Sequence, residues 1–305
     1  EMLRSLVGSE MCIRDRTLIL IMPEYKVFAY AVQNGYTPIK TVDNSNDSLV
    51  YFQSGISKGK INDFTGAIAD FSKAVSTNEN FVQAYWARGL AKAKIDDFSG
   101  AVEDFTRVIE IAPNTKNVYF MRGLSRKEMK DFNGAIQDLN NEISLNPNNK
   151  DAYLNRGLCK KELEQYESAI EDFNRTLCFD YKDIEAYYQK AGCEWKLDNL
   201  EAAVKDYTNV IALNPDYANA YFNRACIKWN LSDYDGAVAD FTKTIGLNKQ
   251  DTDAYFLRGL SYLFTNDYKL AINDLEYARN LSLSNENYEM YEGIMEFIKV
   301  VKKND

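Results

Sequence analysis

The stretch AYFNRACIKWNLSDYDGAVADF, residues 220–241, has a close relative 34 residues away on either side. The upstream copy reads AYYQKAGCEWKLDNLEAAVKDY at 186–207, and the downstream copy reads AYFLRGLSYLFTNDYKLAINDL at 254–275. The same period extends in both directions without insertion or deletion, so that seven repeats begin at residues 48, 82, 116, 150, 184, 218 and 252. A constant period of this length indicates an array in which each repeat is one structural unit.

The residue types that recur within the repeats predict two helices in each. Counted from the first residue of a repeat, position 4 is always Tyr, position 20 is always Ala, position 8 is Gly or Ala, and position 24 is aromatic or Leu. Positions 4, 8 and 11 share one helical face in the first half, as do positions 17, 20, 21, 24 and 28 in the second. Because one such hairpin cannot bury its apolar face alone, the pattern predicts that neighbouring hairpins stack.

Position 16 lies between the two predicted helices and is Asp or Asn in six repeats. These residue types favour the N-terminal cap of a helix, so we expect them to begin the second helix. The six residues are Asp63, Asp97, Asp131, Asn199, Asp233 and Asp267.

This combination of period and residue types resembles the tetratricopeptide repeat (TPR) family. The Pro that the family places at position 32 is present in three repeats only, as Pro113, Pro147 and Pro215. The resemblance implies an all-α fold, an α-solenoid in which helix-turn-helix hairpins stack into a right-handed superhelix. The expected repeats are 48–81, 82–115, 116–149, 150–183, 184–217, 218–251 and 252–285.

Three further segments flank the array. The run LVGSEMCIRDR at 6–16 matches the translation of a sequencing adapter, so we interpret residues 1–21 as an artefact and expect them to be disordered. Residues 22–47 are predicted to form an N-terminal helix and a linker. Residues 286–305 are predicted to form a helix that caps the last repeat, because the end of a solenoid needs a more polar cover.

The composition opposes several classes of function. The net charge of −9 opposes nucleic-acid binding, which needs a basic face, and no apolar run is long enough to span a membrane. Histidine is absent and the five cysteines include no CxxC pair, which removes histidine-based catalysis and the common mixed metal sites. We therefore expect a protein that is not an enzyme and needs no cofactor or metal. Scattered thiols suit a reducing compartment, which predicts a cytoplasmic location.

The TPR resemblance implies that positions 2, 5, 9, 12 and 13 of each first helix line a concave groove. Positions 5 and 9 also suit packing between neighbouring first helices, and that interpretation is favoured there. Position 12 is small or basic in the first four repeats but holds Trp195 and Trp229 in the next two, which predicts an exposed aromatic patch. The candidate groove residues are Tyr188, Trp195, Phe222, Cys226, Trp229, Phe256, Leu260, Leu263 and Phe264.

Charged residues recur at two further positions. Position 23 is Asp in every repeat, and position 7 is Arg or Lys in six. Because each member is spaced by one whole repeat, we interpret the set as a ladder of ion pairs between helices, not as a metal site or a catalytic pair. The ladder residues are Asp104, Asp138, Asp172 and Asp240 with Arg88, Arg122, Arg156 and Arg224.

Together these observations predict a non-catalytic scaffold that binds a peptide or protein segment in the concave groove. The carboxylate clamp by which some TPR proteins hold chaperone tails needs Lys at position 5 and Asn at position 9, and both positions are apolar here. We therefore expect no chaperone tail as partner. The alternatives are a self-associating structural array, an enzyme, and an RNA-binding repeat protein. The pentatricopeptide arrays that bind RNA have a longer period and a more basic charge.

Overall fold

The structure is a computed structural model that describes residues 45–304. Over this range the chain forms fifteen α-helices joined by short turns, and it contains no strand. The helices are α1 Ser45–Lys60, α2 Phe64–Thr77, α3 Val82–Lys94, α4 Phe98–Ile111, α5 Val118–Glu128, α6 Phe132–Leu145, α7 Lys150–Glu162, α8 Tyr166–Phe179, α9 Ile184–Lys196, α10 Leu200–Leu213, α11 Ala218–Asn230, α12 Tyr234–Leu247, α13 Thr252–Phe264, α14 Tyr268–Ser284 and α15 Tyr288–Asn304. The segment interpreted as an artefact and nearly all of the predicted N-terminal helix and linker lie outside the described residues.

The described helices form two compact units, 45–179 and 180–304. Within each unit every helix packs on the next one along the chain, so that hairpins of two helices stack in sequence order. The prediction of an all-α solenoid built from helical hairpins is therefore confirmed within each unit. Helix α15 follows the last hairpin of the second unit.

The turn inside each hairpin has the same backbone conformation throughout. The residue at position 15 is left-handed in every repeat, with φ between 58° and 63°. The N–H of the following residue donates to the carbonyl five residues earlier, as from Asp63 to Lys58 at 3.0 Å, which closes the first helix. None of the left-handed residues is glycine, although glycine adopts this conformation at least cost. They are Asn62, Asp96, Lys130, Glu164, Asp198, Ser232 and Asn266.

All six predicted residues stand at the N-cap of their second helix, and in four of them the side chain also makes a cap bond. In each of the four, the carboxylate accepts a hydrogen bond from the N–H of a glycine three residues later. A Cβ on Gly66 would lie 2.1 Å from Oδ2 of Asp63, so the carboxylate would have to shift to accommodate a larger residue there. The four capping residues are Asp63, Asp97, Asp131 and Asp233.

Asn199 and Asp267 also stand at the N-cap of their helices, but their side chains make no cap bond. In these two repeats Ala202 and Leu270 stand where the other four have glycine, a difference that does not by itself prevent a cap bond, because Asn149 accepts one from the N–H of Ala152. The Asn199 amide instead donates to a glutamate, and Asp267 accepts from the hydroxyl of Thr265.

The core of each hairpin forms where the small residue at position 8 faces the side chain at position 24. A Cβ on Gly157 would lie only 2.8 Å from Cε1 of Phe173, a ring that is fully buried. In several hairpins an aromatic residue at position 5 also contacts the ring at position 24, as between Phe222 and Phe241 with centroids 5.7 Å apart. Small residues at position 8 therefore bring the two helices close around one buried side chain.

Helix α15 packs on the last hairpin. Its Ile294 and Ile298 are buried in the same apolar cluster as Leu275 of α14. The ring of Phe297 lies 5.9 Å from that of Phe256, in an edge-to-face arrangement. The amphipathic α15 thus covers apolar surface that no further repeat covers, which is the physical role expected of a terminal helix.

Candidate functional site

The predicted ion-pair ladder is a set of hydrogen-bonded contacts within the hairpins. The guanidinium of Arg88 binds Asp104 through two nitrogens, at 2.9 and 2.6 Å. Its third nitrogen donates to the hydroxyl of Ser72 in the preceding repeat at 3.1 Å, and its plane lies over the ring of Tyr85. Equivalent two-nitrogen contacts join Arg122 to Asp138, Arg156 to Asp172, Arg224 to Asp240, and Arg258 to Asp274. Each arginine thereby ties two helices of one hairpin to the hairpin before it.

A second cation, at position 11, approaches most of these carboxylates. Nζ of Lys92 lies 3.0 Å from Asp104, and that of Lys58 lies 2.7 Å from Asp70. The hydrogen bonds from Lys58 and from a serine hydroxyl lower the pKa of Asp70 below its ordinary value of 3.8. These bonds occupy the carboxylate oxygens, and within residues 45–304 no cluster of Cys, Asp or Glu is arranged to hold a metal ion. The geometry is that of a structural ladder.

The nine candidate groove residues come together in the second unit, but most of them are buried. Six belong to one apolar cluster as fully or almost fully buried side chains: Tyr188, Trp195, Phe222, Cys226, Trp229 and Leu260. Phe256 and Leu263 are partly buried against the same cluster, and Phe264 is 39% exposed. The candidate side chains that reach solvent, Phe256, Leu263 and Phe264, therefore all belong to α13.

The prediction that Trp195 and Trp229 form an exposed patch is wrong, since they are 6% and 5% exposed. The ring of Trp229 packs edge-to-face on Tyr234 and on Phe264, at 6.0 and 5.7 Å between centroids. Tyr234 and Phe264 are themselves stacked at 4.5 Å. These neighbours supply the reason for burial: Trp229 fills the space between its own hairpin and the next. Trp195 is buried in the continuous cluster around it.

A polar group that the sequence analysis did not single out as a site lies inside this apolar cluster. Asn223 is 1% exposed, and its Nδ2 donates to the hydroxyls of Tyr188 and Tyr207 at 3.1 and 3.2 Å. The sequence carried a signal for it, because position 24 is Tyr only in the preceding repeat, at Tyr207, and position 6 is Asn in only two repeats. Next to this group, a Cβ on Gly192 would meet only the Tyr207 hydroxyl, at 3.8 Å, so the helix surface there is open.

Burial makes one of the thiols chemically inert. Cys159 is fully buried, and the loss of hydration raises the pKa of its thiol to about 12. The thiol therefore stays protonated at neutral pH and does not act as a nucleophile. None of the helices that the structure describes combines the length and apolar character needed to cross a membrane.

The chain was compared with protein families and with known proteins. Two family models, each described as tetratricopeptide repeat, match residues 222–282 and residues 82–115, 150–177 and 184–217, together more than half of the chain. A search of curated proteins found no match.

Similar folds occur among solved structures. The chain is 26% identical to MamA, with 54% of this chain and 97% of MamA covered and a TM-score of 0.53. It is 19% identical to YrrB, with 63% of this chain and 95% of YrrB covered and a TM-score of 0.54. It is also 19% identical to a tetratricopeptide repeat protein from Parabacteroides merdae ATCC 43184, with 82% of this chain and 99% of that protein covered and a TM-score of 0.58.

The stacked hairpins, the recurring positions and the family matches agree with one another. Arrays of this kind support a role as a protein-interaction scaffold, and proteins built from them are generally not catalytic. From its sequence matches and its fold, the chain belongs to the tetratricopeptide repeat family.

Proposed function

We propose that this protein is a non-catalytic scaffold that binds an extended peptide, or an extended segment of a partner protein, on the inner face formed by α9, α11 and α13. Phe256, Leu263 and Phe264 contact the peptide directly. The six buried candidate residues form the floor beneath them and hold them in place. The peptide-facing side chains are apolar, so the proposal predicts a peptide rich in apolar or aromatic residues.

The exposure of Phe264 is the observation that carries this proposal. Position 13 is Lys, Glu or Asn in the other repeats, whereas here Phe264 is 39% exposed and shares a helical face with the partly buried Phe256 and Leu263. A group of adjoining apolar side chains that reach solvent is a mark of a binding surface. Aromatic residues at the centre of an interface contribute a large share of binding energy. The family match and the likeness to YrrB, a TPR protein with an unusual peptide-binding site, support the same function. The net charge of −9 and the absence of histidine favour it over RNA binding or catalysis.

Selection of peptides from a displayed random library on the immobilised full-length chain tests the proposal. Peptides obtained in this way are labelled with fluorescein, and their affinity is measured by fluorescence anisotropy. We expect Phe264→Ser to weaken binding at least about tenfold, the loss typical of a central interface residue. Circular dichroism shows whether the variant remains folded.

The control is Leu283→Ser, because Leu283 is similarly exposed, at 49%, but lies on the second helix of the same hairpin. Its affinity for the peptide should equal that of the wild type. Equal affinity of the folded Phe264→Ser variant would contradict the proposed surface, and failure to select any peptide would contradict peptide binding itself. Light scattering on the same samples measures self-association.

A further inference from the structure

The outer face of α14 differs from that of the other second helices. Its residues at positions 19, 22, 26 and 29 are exposed and follow one another at helical spacing, so that they form one stripe along the helix. Leu270 in this stripe is 46% exposed, and Tyr277 is 44% exposed. The outer stripe of α14 consists of Leu270, Asn273, Tyr277 and Asn280.

The other repeats have small, polar or charged residues at the same four positions. Position 19 is Gly, Ser or Ala in all six, and position 26 is Lys, Arg or Asn. None of the six has a large apolar residue at any of the four positions, and five of them have at least one charged residue there. A hairpin therefore folds without an apolar outer stripe, so the residues of α14 point to a contact outside the hairpin.

Tyr277 is supported from within its own hairpin. Its ring lies 4.3 Å from that of Tyr255 on α13, between centroids. In the first repeat, Lys73 takes the equivalent place, with its Nζ 5.4 Å from the centroid of the Tyr51 ring. Tyr277 is thus a half-exposed ring that one neighbour supports, and a lysine at its position is compatible with the same packing.

The chemistry of the outer stripe fits a second copy of this chain. The protein carries a net charge of −9, so two copies repel each other where their charged surfaces meet. The stripe contains no charged residue and avoids that repulsion. A Tyr hydroxyl and an Asn amide are each both donor and acceptor, so they can pair with copies of themselves, whereas Lys, Arg and Glu cannot.

We propose that two copies of this protein associate through their outer stripes, with the two α14 helices antiparallel about a twofold axis. In a register centred between residues 273 and 274, Leu270 of each copy lies opposite Tyr277 of the other, and the two Asn273 side chains meet next to the axis. A twofold contact uses the same residues on both copies, so each favourable pair occurs twice.

The length of α14 sets the expected strength of this contact. The helix has 17 residues and is about 25 Å long. A contact along one helix of this length is smaller than a standard protein interface, so we expect a dissociation constant of about 1–100 μM. The stripe shares no residue with the proposed peptide-binding face, so the two proposals can fail separately. Where peptide binding also holds, the dimer carries two such faces and holds a partner with two binding segments more tightly than one face does.

Sedimentation equilibrium of the full-length protein at increasing concentration tests the association. The wild type should approach the mass of a dimer as its concentration rises through this range. Tyr277→Lys introduces the residue that Lys73 and Lys243 place at position 26, so it should fold normally and raise the dissociation constant at least about tenfold. A wild type that stays monomeric would overturn the proposal, as would a folded Tyr277→Lys variant that dimerises as well as the wild type.

The matched control is Asn141→Lys, because Asn141 is exposed and occupies position 26 of the third repeat. It adds the same charge at the same place on another hairpin and should dimerise like the wild type. Equal weakening by both variants would mean that net charge, not the outer stripe, governs association, and the proposal would then be wrong.

Cysteine cross-linking tests the twofold geometry. Asn273→Cys brings one thiol from each copy next to the axis, and a disulfide forms where the Cβ atoms lie about 3.5–4.5 Å apart. Mild oxidation with copper phenanthroline should then give a covalent dimer that a reductant reverses. Ala239→Cys, at the same exposed position of the preceding repeat, and the parent protein with its exposed Cys178 give the background. A protein that dimerises in the centrifuge but cross-links no better than this background contradicts the proposed stripe and register.

Discussion

Two glycines in the first helices of consecutive repeats should respond in opposite ways to the same added methyl group. Gly157 is at position 8 of its repeat and Gly192 is at position 9 of the next, and both lie inside helices. A Cβ on Gly157 would lie 2.8, 3.1 and 3.1 Å from three atoms of the Phe173 ring, whereas one on Gly192 has a single contact at the ordinary distance of 3.8 Å. We predict that Gly157→Ala destabilises the protein and that Gly192→Ala stabilises it.

The magnitudes follow from two opposing effects. Replacing glycine by alanine inside a helix stabilises it by about 1 kcal/mol. At Gly157 the new carbon would lie closer to the Phe173 ring than the normal carbon–carbon separation of about 3.5–4.0 Å. The ring of Phe173 has no solvent-facing side to move into, so overpacking costs about 1–3 kcal/mol. The net change in the free energy of unfolding is a loss of about 1 kcal/mol for Gly157→Ala and a gain of about 1 kcal/mol for Gly192→Ala.

Guanidinium unfolding followed by circular dichroism measures the two free energies. Because repeat arrays can unfold in parts, hydrogen exchange should also be measured. We expect faster exchange in α7 and α8 of Gly157→Ala and slower exchange in α9 of Gly192→Ala. The reasoning is refuted if Gly157→Ala is as stable as the wild type, or if Gly192→Ala loses stability. Ala191 and Ala225, which occupy position 8 in two other repeats, show that a hairpin can adopt a spacing that accepts the methyl group.

Three further predictions concern caps, turns and pH. Asp233→Ala should lower the free energy of unfolding by about 1 kcal/mol because it removes a helix cap, whereas Asp267→Ala, which removes no cap bond, should have a smaller effect in the same denaturation assay. Glu164→Gly should raise the unfolding temperature, because it relieves a left-handed residue whose strain of about 1–2 kcal/mol exceeds the entropic cost of glycine; an unchanged or lower temperature would refute this. The hydrogen bond from Lys58 lowers the pKa of Asp70, so the stability that this carboxylate contributes is present above its ordinary pKa and is lost as the pH falls through the lowered value. Urea titrations from neutral to acidic pH should therefore show a shallower loss of stability for Asp70→Asn than for the wild type, and parallel curves would contradict the assignment.

Much of the fold could be read from the sequence because its determinants are local or recur at a fixed interval. Tyr at position 4, a small residue at position 8 and Ala at position 20 impose two amphipathic helices on every repeat, and stacking then follows from the apolar faces they share. The cap residues were only partly predictable. Asp267 stands at the N-cap as its residue type predicts, but the residue type did not express whether the side chain makes the cap bond, since Asp233 makes it and Asp267 does not.

The candidate site depended on contacts that no single repeat contains. The sequence alone showed that Trp229 departs from the residue types at position 12, but its burial is decided by Tyr234 in its own hairpin and Phe264 in the next. The unpaired Oδ1 of Asn223 likewise emerges only when Tyr188 and Tyr207 from the preceding hairpin are in place. Periodicity determines which face of a helix is apolar, because that is a property of one helix. Which of those side chains stay accessible, and which polar atoms go unmatched, is settled by the tertiary packing, because both depend on the volume and the hydrogen-bonding groups that neighbouring hairpins bring to the contact.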